Sequence, residues 1–155
     1  MSATTQTKLP PVIKTVRVPC TQEKAFGLFT AQLRDWWPLS KYSIAAQTDQ
    51  PAEFCAMEPR VGGRIYERLQ SGAEHIWGTI LAWDPPNRIE FTWYPGRPVE
   101  TAQTVIVEFK PVQTETELTL THTGWEKLGD AAAETRGSYD GGWEMVLGCY
   151  RAEVK

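Results

Sequence analysis

The stretch Ser138–Val154, SYDGGWEMVLGCYRAEV, places the strongest constraint on how this chain can fold. Its apolar side chains recur at intervals of three and four residues, which is the spacing of one face of an α-helix. They are Tyr139, Trp143, Val146, Leu147, Tyr150 and Val154. A helix cannot bury such a face by itself, so the rest of the chain must supply a matching apolar surface.

A series of strand-like segments precedes this helix, so we expect a sheet to cover it. Val12–Val18 is followed by a helix that begins after Thr21, a typical N-cap residue. Pro38 ends the helical region, because the residue before a proline avoids helical backbone. The remaining strand-like segments are Ala52–Glu58, Arg64–Gln70, Glu74–Asp84, Arg88–Tyr94, Thr101–Lys110 and Thr114–Thr123. This order predicts an α+β fold, with a curved antiparallel sheet of about six or seven strands around a long C-terminal helix.

Two local features carry expectations of their own. Gly78 interrupts the longest strand-like segment, where the usual reason is a β-bulge or a close backbone approach. The odd-numbered side chains of that segment, Trp77 and Leu81 among them, are expected to share one face. Trp36 and Trp37 are adjacent and cannot share one helix face, so we expect one to enter an interior and the other to cap a rim.

Composition and charge exclude several classes of protein. The chain has 155 residues, a net charge of −3 and a pI near 5.4, without the basic stripe of a nucleic-acid-binding protein. No membrane span and no secretory leader are expected, since no apolar run is long enough. Cys20, Cys55 and Cys149 are widely spaced, which favours reduced thiols in a cytoplasmic protein. We expect residues 1–11 to be a mobile tail and residues 12–155 a single domain.

The ionisable residues give little indication of catalysis or of a metal site. His122 shares a predicted strand face with Leu118 and Leu120. It could serve as a general base or polar contact in a pocket, but a buried histidine hydrogen-bonded to a neighbour is the interpretation we favour. Two histidines without a spaced third ligand do not predict a metal site, and no cofactor is expected. The other candidates are expected to be surface groups: Glu58, Arg64, Glu67 and His75.

Five segments resemble the AHSA1-like branch, the activator of Hsp90 ATPase homologues, of the START/SRPBCC (Bet v 1-like) superfamily. They are VPCTQEKAFGLFT, MEPRVGGRIYE, IWGTILAWDPPNRIEFTW, LTHTGW and GGWEMVLGCY. The similarity runs from Val12 to Val154. It implies the helix-grip fold, with a deep cavity between the sheet and the C-terminal helix that holds lipids, sterols, polyketides or similar molecules. The family has no universal catalytic motif, so the resemblance assigns no catalytic residue.

The aromatic content, together with this resemblance, suggests a hypothesis about function. Seven of the seventeen aromatic residues are tryptophans, which are difficult to bury as plain core because each N–H needs a partner. We expect the chain to bind a small hydrophobic or aromatic ligand between sheet and helix. Face parity predicts the following ligand-binding residues, with His122 as the polar contact: Trp37, Tyr66, Trp77, Phe91, Trp93, His122, Trp143 and Leu147.

Two alternatives stay open. A protein-interaction module, co-chaperone-like and stress-related, predicts an exposed apolar patch instead of a cavity. An enzyme of the cyclase, dehydratase or hydrolase type predicts that His122 acts as acid and base. The sequence is compatible with a monomer or a homodimer.

Overall fold

A computed structural model of the chain describes residues 9–48 and 52–154. Seven antiparallel strands form one sheet in the order β1-β7-β6-β5-β4-β3-β2. The strands are β1 (Val12–Val18), β2 (Ala52–Met57), β3 (Arg64–Leu69), β4 (Glu74–Asp84), β5 (Arg88–Trp93), β6 (Gln103–Val112) and β7 (Glu115–Thr123). The helices are α1 (Gln22–Phe29), α2 (Leu33–Trp36) and α3 (Ala132–Glu153). The sheet curls around α3, which confirms the predicted α+β helix-grip fold.

The N-terminal segment that is described lies against α3. The Arg136 side chain donates hydrogen bonds to the carbonyls of Pro10 and Pro11, and Leu9 packs against the core. The first eight residues of the predicted tail lie outside the described residues. None of the helices in the described part of the chain is both long and apolar enough to cross a membrane.

The first helical region begins and ends for the reasons that the sequence indicates. The Thr21 hydroxyl accepts a hydrogen bond from the Lys24 N–H at 3.2 Å, which makes Thr21 the N-cap of α1. Trp37 is extended (φ −65°, ψ 128°) ahead of Pro38 and terminates α2. A turn after Phe29 divides the predicted single helix into α1 and α2.

α3 is longer than the sequence analysis predicts, since it begins at Ala132 and not at Ser138. Residues 132–137, which precede the predicted helix, form its first turns. Val146, Leu147 and Tyr150 are buried against the core, which confirms the apolar face.

Polar contacts with the N-terminal part of the chain fix the position of α3. The Lys14 ammonium on β1 lies 3.0 Å from the carboxylates of both Asp140 and Glu144. On another part of the helix, the Tyr150 hydroxyl donates to the Ala25 carbonyl of α1 at 2.8 Å. α3 is thereby held to the first strand and to the first helix.

Gly78 marks a register shift in β4, as predicted. Ile65 pairs with Gly78, whereas Tyr66 pairs with Ile76, so the register shifts between these two positions. A side chain at Gly78 would place its Cβ 1.8 Å from the Thr92 carbonyl oxygen, so only glycine fits.

A second register shift follows near Leu81, and the simple alternation expected for β4 is wrong there. Trp77 and Ile80 are buried, while Leu81 is 46% exposed. Trp83 packs edge-on against Phe26 at 5.2 Å between ring centroids, so it lies on the inner face again. The two shifts compensate for each other, since each displaces the alternation by one residue.

Replacing Gly78 by alanine should destabilise the fold by about 3 kcal/mol, because β4 and β5 would have to separate to admit the methyl group. Urea denaturation measures the loss. Gly27→Ala is the matched control, since nothing lies within 4 Å of a Cβ at that α1 position. That variant should gain stability, because alanine favours helix. Equal stabilities for the two variants would contradict the close approach.

Candidate functional site

A cavity of about 490 Å³ opens beside the N-terminal half of α3. Its other walls are Trp77 on β4, the segment 37–44 that follows α2, and residues 93–97 at the end of β5 and after it. The innermost wall consists of aromatic side chains: Trp37, Trp77, Trp93, Tyr139 and Trp143. This volume lies within the usual range of small-molecule sites, about 300–1,000 Å³.

The four indoles of this wall form one contiguous cluster. The ring centroids are 5.1 Å apart for Trp37 and Trp77, 5.8 Å for Trp77 and Trp93, and 5.5 Å for Trp93 and Trp143. The rings are tilted or edge-on to one another, as aromatic pairs prefer. Because β4, both segments and α3 each contribute an indole to the cluster, the wall depends on tertiary packing and not on one element.

The space deeper between sheet and helix is filled with side chains. A void of about 10 Å³ remains below the indoles, lined in part by Phe91, and this is the size of about one water. Phe91 therefore borders the void and not the cavity, and Leu147 is core with 1% exposure. Among the described residues, the accessible space lies nearer the protein surface than the deep cavity that the family resemblance implies.

Tyr66 does not line the cavity, although the sequence analysis placed it there. It lies on the outer face of β3, where its ring packs against the Arg64 guanidinium at 4.4 Å and edge-on against Phe54 at 6.3 Å. The alternation of β3 gives the reason, because Ile65 and Leu69 face inward and Tyr66 has the opposite parity.

Glu67 has the inward parity, and the expectation that it is a surface charge is wrong. Its side chain is fully buried and accepts three hydrogen bonds: from the Ile44 N–H at 2.6 Å, the Ala45 N–H at 2.9 Å and the Trp77 indole N–H at 2.6 Å. A buried carboxylate is tolerated only with several such donors. Glu67 therefore fastens the cavity rim to β3 and to the indole wall. The signal for it in the sequence was the alternation of β3, in which Glu67 has the same parity as Ile65 and Leu69.

His75 stands on the outer side of this carboxylate. Its Nδ1 lies 3.5 Å from the Glu67 carboxylate, at the limit of hydrogen bonding, and has no nearer partner in the described part of the chain. One third of the side chain is exposed, so the expectation of a surface residue holds only in part.

We predict that Glu67→Gln destabilises the fold by about 2 kcal/mol, because a neutral amide leaves at least one buried N–H without an acceptor. Urea denaturation measures the stability, and hydrogen exchange at Ile44 and Ala45 reports the rim directly. Glu108→Gln, at an exposed position of β6, is the control and should cause a much smaller loss. Unchanged exchange at both amides would contradict the fastening role.

His122 lies behind the indole wall and is completely buried. Its Nδ1 accepts a hydrogen bond from the Trp143 N–H at 3.0 Å, so its Nε2 carries the proton and donates to the Gln103 Oε1 at 3.2 Å. The Gln103 amide in turn donates to the Thr101 carbonyl. His122 does not border the cavity, and the favoured interpretation of a satisfied buried histidine is confirmed.

Burial lowers the pKa of His122 to about 3. The unfolded chain, with a histidine pKa near 6.5, takes up this proton first as the pH falls. Stability is therefore full above pH 6.5 and decreases as the pH drops toward 3, by about 2 kcal/mol at pH 5. Urea denaturation at pH 7.5 and 5 tests this, with His122→Gln as the comparison. The variant should lack this part of the pH dependence, and equal pH slopes in both proteins would overturn the assignment.

Both adjacent tryptophans are buried, so the expectation that one caps a rim is wrong. Trp36 packs edge-on against Tyr150 at 5.1 Å and donates its N–H to the Leu28 carbonyl. Trp37 faces the cavity, and its N–H donates to the Tyr42 carbonyl at 2.6 Å.

The polar residues at the cavity escaped the sequence analysis. Arg97 and Lys41 lie in loops without periodicity, and Thr135 lies in the first turn of α3. Tyr139 had been counted only as part of the apolar helix face. No three histidine, cysteine, aspartate or glutamate side chains in residues 9–48 and 52–154 are grouped closely enough to hold a metal ion.

A curled antiparallel sheet closed by a long helix, with a cavity beside that helix, is a helix-grip fold of the ligand-binding kind. The family described as Activator of Hsp90 ATPase homolog 1-like protein matches residues 19–149. The chain belongs to this family, which confirms the AHSA1-like resemblance. No curated protein matches the chain.

Solved structures share this fold. The anthrahydroquino-γ-pyrone synthase Txn09, solved as a complex, is 34% identical, with a TM-score of 0.57 over 86% of this chain and 88% of that one. The Aha1 dimer from Colwellia psychrerythraea is 15% identical, with a TM-score of 0.66 over 94% and 96%. CalU16 from Micromonospora echinospora is 21% identical, with a TM-score of 0.59 over 90% and 72%. The last two likenesses concern the fold alone.

Proposed function

We propose that this protein binds a flat, polycyclic aromatic molecule of the aromatic-polyketide kind in the cavity beside α3. The observation that carries the proposal is the wall of four contiguous indoles at an open cavity. Large flat rings bury much apolar area against such a wall and stack on it with little loss of conformational freedom. The name of Txn09, a synthase of an anthrahydroquino-γ-pyrone, supports the same class of molecule.

Ring closure of such a molecule is the second candidate, and the 34% identity to a synthase favours it. The hydroxyl of Tyr139 at the cavity could assist proton transfer, and the guanidinium of Arg97 could stabilise the negative charge that develops on an enolate oxygen. His122 is less suited to the role that the sequence analysis considered, because Trp143 separates it from the cavity and occupies its Nδ1.

The interaction-module alternative has no comparable observation in its favour. Five large apolar side chains in the described part of the chain are exposed, and they lie in separate parts of the chain: Ile13 on β1, Val61 between β2 and β3, Leu81 on β4, Val99 between β5 and β6, and Met145 on α3.

Filling the cavity from its rim tests the proposal without removing core residues. Ser138 lines the cavity and is exposed, so Ser138→Phe should obstruct the indole wall and leave the fold intact. We expect 1,8-dihydroxyanthraquinone to quench tryptophan fluorescence saturably in the wild type, and the variant to bind it at least about tenfold more weakly. Isothermal titration calorimetry provides an independent measure of affinity.

Ala133→Phe is the matched control, because Ala133 is exposed on the same helix and does not line the cavity. It should bind like the wild type. The absence of saturable binding to the wild type would refute the proposal, and so would equal affinities in all three proteins. Mass spectrometry of a linear polyketide precursor recovered after incubation separates simple binding from ring closure.

A further inference from the structure

Two positive charges stand at the mouth of the cavity without a carboxylate partner. Arg97 and Lys41 both line it and are both exposed, and neither forms an ion pair with any residue in the described part of the chain. One guanidinium nitrogen of Arg97 donates to the Thr135 hydroxyl at 3.2 Å. This bond orients the side chain and leaves further N–H donors for a ligand.

The acidic residue among the lining side chains, Glu134, does not neutralise this pair. It lies in the first turn of α3, where the helix dipole stabilises a negative charge. Two cations and one anion give the lining a net positive charge, although the whole chain carries −3. A mouth of opposite sign to the protein favours an anionic ligand.

The inner wall offers hydrogen-bond donors as well. The Trp93 side chain is buried, lines the cavity, and its N–H has no partner in hydrogen-bond geometry among the described residues. The Tyr139 hydroxyl is nearby. Burial raises the pKa of Tyr139, although the Trp93 N–H and the charge of Arg97 oppose this effect, so the phenol keeps its proton at neutral pH and can donate. An unsatisfied buried N–H is costly unless a ligand supplies an acceptor.

We infer that the ligand is an acidic aromatic ketone. Its ring oxygen accepts hydrogen bonds from Trp93 and Tyr139 at the wall, and its carboxylate, or an equivalent anionic oxygen, meets Arg97 and Lys41 at the mouth. This inference rests on the proposed function and narrows it, because stacking on indoles alone would accept neutral rings and rings without oxygen equally well.

Three probes of similar shape separate the contribution of the negative charge from that of the ring oxygens. Anthraquinone-2-carboxylate has both features, 2-(hydroxymethyl)anthraquinone lacks the charge, and anthracene-2-carboxylate lacks the ring oxygens. The first probe should bind about five- to tenfold more tightly than either of the others, the usual worth of one exposed charge or one neutral hydrogen bond. Raising the salt concentration should weaken the binding of the two carboxylate probes and leave the affinity of the alcohol probe unchanged.

Arg97→Gln should remove most of the preference for the carboxylate over the alcohol, since glutamine is polar but carries no charge. Arg151→Gln, an exposed position at the far end of α3, changes the net charge equally and should preserve the preference. In each variant, the ratio of the affinities for the carboxylate and the alcohol cancels any general effect of the substitution on folding.

Trp93→Phe should remove the preference for anthraquinone-2-carboxylate over anthracene-2-carboxylate. Trp125→Phe is the matched control, because the Trp125 N–H is also buried without a partner among the described residues but does not border the cavity. That variant should preserve the preference.

The outcomes distinguish the two proposals. Failure of all three probes to bind the wild type would overturn the proposed function itself. Equal binding of carboxylate and alcohol, or an Arg97→Gln variant with an unchanged ratio, would overturn the acidic ligand while leaving aromatic binding in place. A Trp93→Phe variant with an unchanged quinone preference would overturn the ring-oxygen contact.

Discussion

The N–H groups of the buried tryptophans determine where polar groups enter this core. Each indole placed between the sheet and α3 adds a donor that cannot reach bulk water, and burial without a partner is unfavourable. The Trp77 donor is satisfied by Glu67, which also binds the cavity rim. The Trp143 donor is satisfied by His122, whose tautomer follows from that bond. Among the described residues, the Trp93 N–H has no partner in hydrogen-bond geometry, although it lies close enough to the Tyr139 hydroxyl to affect that group's pKa, and a ligand acceptor can complete the set there.

The sequence predicted the strands well, because their alternation is local information. All seven were expected within two residues of their observed ends. Which face of a strand points inward was harder to predict, since a β-bulge, or an aromatic residue on the opposite face, leads to the wrong assignment. Tyr66 was placed at the cavity, although its neighbours Ile65 and Glu67 have the inward parity in β3. In β4, Trp77 was assigned to the correct face, but the register shift at Gly78 brings Ile80 inward in place of Leu81. The second shift, which only the structure shows, returns Trp83 to the inner face.

The candidate site was predictable only where it belongs to regular elements. Trp77 and Trp93 follow strand parity and Trp143 follows helical periodicity, and all three line the cavity. The charged mouth is made by side chains from loops, and no spacing along the sequence relates Lys41 to Arg97. Their proximity depends on how the loops fold over α3, which is information carried by tertiary packing. The same packing fills the deeper interior, so the site lies nearer the surface than the family resemblance implied.

The pairing of β1 with β7 has a consequence for the order in which the molecule can be completed. Val12 lies opposite His122, so β1, which is synthesised before the other strands of the sheet, has no pairing partner until β7 has been synthesised. β2 to β6 pair with neighbours in sequence and can form as each emerges. α3 is synthesised after all of them, and until then the indoles of β4 and β5 have no cover. A nascent chain therefore exposes an apolar, aromatic surface at the very place where the finished protein offers its cavity.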